Sequence, residues 1–197
     1  MYGWLVLAAG YERTENALFA TPQVASLDSG KILVNPDTRG LIVEIGCSDR
    51  NTTDDELLPE YPDAFLVAFE PMLDKYAVLL SRGAKRLPGR PVDQPIGRHH
   101  PRGLVLPLAV SLSGGHVPMH ISKTAGCSSL LKTNENTKWG RFCLKQLEKR
   151  VIESITMAGL ASLLPDNLPI YYFNIWLHGA VQKISKVNAI SVRVIHS

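Results

Sequence analysis

Gly46 and Glu70 have the residue types and spacing to hold a ribose-bearing cofactor. Each closes an apolar run: Leu41-Ile42-Val43-Glu44-Ile45 stops at Gly46, and Ala64-Phe65-Leu66-Val67-Ala68-Phe69 stops at Glu70. In a doubly wound α/β sheet, a nucleotide lies beyond the carboxyl ends of adjacent strands. It needs a turn there whose backbone can approach without a Cβ. Roughly 20 residues on, it needs a carboxylate to accept hydrogen bonds from two ribose hydroxyls. The pair says more than either member, because many buried strands end in glycine and a strand-end glutamate is most often a solvated one.

Other candidates are less specific. His178 titrates near neutrality and is a possible general base, although a lone histidine in an apolar word is more often structural. His99 and His100 are adjacent and no further ligand stands at a suitable spacing, so no metal site is expected. Arg90, Arg98, Arg102, Lys145, Lys149 and Arg150 can receive an acidic or phosphorylated acceptor, or simply form a solvated surface. Cys47 reads as a small packing residue. The chain has no G-x-G-x-x-G, which disfavours a nicotinamide-dependent oxidoreductase, and no G-x-x-x-x-G-K-[ST], which disfavours phosphoryl transfer.

The elements that must position these residues follow from the hydrophobic patterning. Residues 1–40 read as an irregular lead-in with one short strand at Lys31 to Val34, and the apolar run Trp4 to Ala9 as a buried strand or frayed terminus. The runs ending at Gly46 and Glu70 are strands buried on both faces of a parallel sheet, joined through a short helical turn at Glu56 to Tyr61. Met72, Tyr76, Leu79 and Leu80 predict a helix over 72–82, with Gly83 as its C-cap. Leu87 to Gly103, rich in proline and basic residues, is an inserted loop. Leu104 to Ser111 is strand-like, with Pro107 pointing to a strand end, and His116 to Ser122 reads as its hairpin partner across Gly114-Gly115. Lys138 to Arg150 looks helical, Val151 to Met157 a strand, Ala158 to Leu164 a short helix stopped by Pro165, and Ile170 to Leu177 a further strand.

At 197 residues with 45% apolar content, the chain fits one domain with a full core. A net charge of +3 is too small to argue for nucleic acid or an anionic membrane. No window reaches the roughly 18 consecutive apolar residues of a membrane span. Three cysteines (Cys47, Cys127, Cys143) without a C-x-x-C pair fit neither a disulfide framework nor a zinc site, which points to a reducing, cytoplasmic compartment.

The words VEIGCSDR at 43–50, LVAFEPM at 66–72, LPLAVS at 106–111 and GCSSLL at 126–131 occur in the order of the motifs of FkbM-type S-adenosylmethionine-dependent methyltransferases, which residues 41–179 resemble. The resemblance implies a Rossmann-like three-layer α/β sandwich of the class I methyltransferase type. It also implies that Glu44, Gly46, Cys47 and Ser48 wrap the methionine part of the cofactor, that Glu70 and Pro71 hold its ribose and adenine, and that Ala109 and Val110 line the adenine side. Ser128 and Ser129 would supply hydroxyls at the pocket mouth, where an ordinary serine-rich turn is the competing reading. The reaction implied is O-methylation of a small or carbohydrate-like acceptor.

Two departures stand out. Arg50 replaces the family's second glycine, and Asp49 and Arg50 can pair with each other or reach the cofactor carboxylate. The family's Lys-Ile-Asp and following acid are replaced by Asn174-Ile175-Trp176-Leu177-His178. Residues 180–197 form an atypical tail without the helix and closing strands that complete the sheet, as though the chain were truncated or spliced into foreign sequence. These departures sustain a second reading, a catalytically inactive or truncated relative that keeps only a nucleotide-cofactor pocket.

Overall fold

The computed structural model describes residues 9–14, 17–22, 27–28, 30–48, 53, 57–81, 102–124, 126–132, 136–143, 146–175 and 192–194. In chain order the elements are β1 (Ala9–Thr14), β2 (Ala17–Pro22), β3 (Leu27–Asp28), β4 (Lys31–Ile32), β5 (Gly40–Ile45), β6 (Ala64–Phe69), α1 (Leu73–Ser81) and β7 (Gly103–Leu106). There follow β8 (Ala109–Val110), β9 (Gly115–Ser122), α2 (Lys138–Phe142), β10 (Gln146–Ile155), α3 (Met157–Leu163), β11 (Ile170–Ile175) and β12 (Val192–Val194).

The fold is mixed α/β around a five-stranded sheet in the order β12-β11-β5-β6-β7, with every neighbouring pair parallel. Counted along the chain and read from the β7 edge, these strands run 3-2-1-4-5 across the sheet, an order compatible with a Rossmann-like fold. The switch point falls between β5 and β11. Both faces are covered, which is why the strands read as continuous apolar runs rather than alternating ones. Leu41, Val43, Ile45, Phe65, Val67 and Phe69 face one side and pack with Leu160 of α3. Ile42, Leu66, Ala68 and Val105 face the other and pack with Tyr76 and Leu79 of α1. α3 starts at Thr156, whose Oγ1 accepts from Gly159 N at 2.9 Å and satisfies one of the helix's unpaired donors.

At the entrance to β5, Tyr171 lies flat against Gly40, so that a Cβ on Gly40 would stand 2.3 Å from the ring. The Tyr171 hydroxyl donates to Asp63 Oδ2 at 3.1 Å, and its ring meets Tyr61 with centroids 5.8 Å apart. Only glycine leaves room for this ring on the strand.

Several sequence expectations are corrected. The segment before Gly40 carries two antiparallel ladders, β1-β2 and β3-β4, where one short strand is expected. The helix expected over Lys138 to Arg150 stops at Phe142, and Gln146 onward is strand β10. There, pairing with β9 outweighs the helical spacing of the basic residues, since tertiary partners override a weak local propensity. His116 to Ser122 is not a hairpin partner of Leu104 to Ser111. β8 and β9 instead flank β10, parallel and antiparallel respectively, in a separate three-stranded sheet. The C-terminal tail adds a strand, since β12 extends the main sheet parallel to β11.

Cys127 and Cys143 form a disulfide, contrary to the expectation of unpaired thiols. Sequence spacing alone does not reveal it, because the two meet only when α2 folds back on the loop after β9. The basis for a reducing compartment disappears with it, since protein disulfides persist in oxidising surroundings. Among the described residues, no helix is long and apolar enough to cross a membrane.

The apolar run before Ala9, Gly83, the loop from Leu87 to Pro101, and Asp49, Arg50, Lys145, Trp176, Leu177, His178 and Gly179 lie outside the described residues.

Candidate functional site

The register aligns the strand ends. Ile45 of β5 is level with Phe69 of β6 and Ile175 of β11, and Phe69 is level with Leu106 of β7. Gly46, Glu70 and Pro107, just beyond the ends of β5, β6 and β7, therefore share one rim. Gly46 has φ +81°, a left-handed turn open to glycine without strain. Its N–H and that of Cys47 both donate to the Phe69 carbonyl, at 2.8 and 3.1 Å, and bend the chain over the end of β6.

Glu70 secures that bend. Its Oε2 accepts from Ser48 N at 2.6 Å and its Oε1 from Met72 N at 2.9 Å, and the residue is buried. The carboxylate thus joins the glycine turn after β5 to the start of α1. Ser48 holds φ +60°, unusual for a residue with a Cβ, and its Oγ accepts from Lys75 Nζ at 2.9 Å. Backbone conformations of this kind persist only where their surroundings fix them, and they concentrate at ligand sites.

Glu44 lies on the α1 side of β5, level with Asn174 of β11. Asn174 Nδ2 donates to Glu44 Oε1 at 3.3 Å and to Thr53 Oγ1 at 3.4 Å. Both Glu44 and Asn174 are buried, and Asn174 Oδ1 has no hydrogen-bond partner among the described residues. Asn174 therefore presents Glu44 with a neutral amide.

The remaining candidates fall near this rim. Cys47 is a buried thiol in the core on the α1 side. Pro71 links Glu70 to Met72, whose side chain packs with Ala109, Met119, Ile121 and Ile152. Val110 packs on the α3 side of the sheet. Ser128 and Ser129 lie on the loop after β9. Ser128 Oγ accepts from Ser122 N and Ser129 Oγ from Leu131 N, both at 3.1 Å, so each hydroxyl supports a turn. Leu130 of that loop packs against the Met72 cluster.

Lys75 and Thr53 escape a motif search, because each gains meaning only from the partner that the fold brings to it. The one trace of Lys75 in the sequence is its place in the first turn of the helix that follows Glu70. Among the described residues, no cluster of histidine, cysteine and acidic side chains is arranged to hold a metal ion. No family model matches the chain, and no curated protein or solved structure matches it.

Proposed function

We propose that the rim formed by Gly46, Cys47, Ser48 and Glu70 binds S-adenosylmethionine, and that the protein is a methyltransferase acting on a hydroxyl oxygen of a small or carbohydrate-like acceptor. One observation carries the reading: a glycine turn and a strand-end glutamate, held together through Ser48 N, lie on adjacent parallel strands in a 3-2-1-4-5 sheet. Gly46 lets the backbone approach the cofactor, Glu70 receives its ribose hydroxyls, and Ala109 and Val110 flank the adenine. When bound, the cofactor supplies an electrophilic methyl group. The protein's part is to hold the acceptor oxygen in line with it and to exclude water.

A second reading, a pocket that binds the cofactor without transferring its methyl group, is favoured by Asn174. Its amide is engaged by Glu44 and Thr53 where the FkbM-type pattern has a charged lysine.

Calorimetric titration with S-adenosylhomocysteine tests both. The wild type binds in the micromolar range, and Glu70→Ala weakens binding by roughly tenfold or more, the scale of a lost hydrogen bond to a charged group. Absence of binding by the wild type sinks the methyltransferase reading. Binding without methyl transfer to any hydroxyl acceptor favours the second.

A further inference from the structure

Lys75 stands in the first turn of α1 with its side chain half-buried. An ammonium carries three donors, and here one goes to the neutral Ser48 Oγ at 2.9 Å. No carboxylate among the described residues forms an ion pair with it. Its neighbour Asp74 pairs across to Arg150 at 3.3 Å, and the Glu70 oxygens accept the backbone N–H groups of Ser48 and Met72. The amino-terminal end of α1 adds partial positive charge at the same place. A cation half-withdrawn from water, tied to a left-handed serine on the nucleotide rim, fits a ligand that carries negative charge.

We propose that Lys75, positioned by Ser48, is the anion-reading residue of this site and takes a carboxylate or phosphate oxygen of the bound ligand. The inference rests on the nucleotide-site reading above and extends it from the adenosyl group to the ligand's charged end. Two sources offer that anion: the amino-acid carboxylate of an adenosyl-amino-acid ligand, or a phosphate on the ribose of an adenine nucleotide.

Two ligand pairs, titrated into wild type, Lys75→Met and Lys75→Arg, separate them. S-adenosylhomocysteine is compared with 5′-methylthioadenosine, which lacks the carboxylate, and adenosine 2′-monophosphate with adenosine. Lys75→Met is expected to weaken the charged member of one pair by about tenfold or more while leaving its uncharged partner within about twofold, and Lys75→Arg to restore most of the loss. The pair that responds identifies the anion. Equal binding of both charged ligands by wild type and Lys75→Met overturns the role of Lys75 and leaves the nucleotide site standing. Failure of the wild type to bind any of the four overturns the nucleotide site and this inference together.

Discussion

The five-stranded parallel sheet and the three-stranded β8-β10-β9 sheet achieve order by different means. In the first, β5, β6 and β7 are buried along their whole length between α1 and α3, and the strand ends that carry Gly46 and Glu70 are fixed by that burial. The second packs mainly through one face, built on Met119, Ile121 and Ile152, with His120 buried on the other. On the other side Leu147 and Val151 are 60% and 68% exposed. A short sheet packed mainly through one face is marginal by itself, and here the Cys127–Cys143 disulfide supplies a covalent tie. The comparison teaches that the rim carrying Gly46 and Glu70 is placed by the hydrophobic core, and the loop carrying Ser128 and Ser129 by a cross-link and local turns.

The largest effect is expected from opening the parallel sheet. Phe69 is fully buried at the end of β6, immediately before Glu70, and its carbonyl receives the N–H groups of Gly46 and Cys47. Phe69→Ala should lower unfolding free energy by about 3–5 kcal/mol, through lost burial and an unfilled cavity. Chemical denaturation should show both sheets unfolding together in one transition. A loss confined to the smaller sheet would contradict the division of roles.

Removing the disulfide should act locally. Its loop spans a sequence separation of 16, for which loop-closure arguments give about 3 kcal/mol. In Cys127→Ser/Cys143→Ser, or after reduction, hydrogen exchange should quicken at the β9 and β10 amides while β5 and β6 stay protected. Equal loss of protection in β5 would show that the cross-link supports the whole fold, and the contrast between the sheets would fail.

How much of this was legible follows the same division. The buried strands β5 and β6, their ends at Gly46 and Glu70, and helices α1 and α3 can be read from the chain, because each depends on an apolar period and a local stop signal. β10 is legible only in its second half, where Val151 to Met157 reads as a strand. Over Gln146 to Arg150 the basic spacing also suits a helix, and only pairing with β9 decides between them. The disulfide and the Lys75–Ser48 and Asn174–Glu44 contacts join residues far apart in sequence, so no window contains both partners. The strand end at Glu70 was legible, but not the latch its carboxylate makes on Ser48 N and Met72 N, since latching depends on the left-handed path of the turn.

The smallest effect should appear at the opposite end of the parallel sheet, where Tyr171 covers Gly40. Desolvation, reinforced by the hydrogen bond to Asp63 and that residue's charge, raises the Tyr171 pKa above the ordinary 10.0. The neutral phenol is thus favoured by folding. Its contribution is fully present below the unfolded-state value and is lost as pH rises through the folded one. Stability measured by denaturant titration should therefore decline above about pH 10 more steeply in wild type than in Tyr171→Phe, which keeps the ring on Gly40 but has no proton to lose. The variant should give up only the single bond to Asp63 near neutrality. An unchanged alkaline slope would mean that the hydroxyl stays hydrated, and that packing of the ring alone closes this end of the sheet.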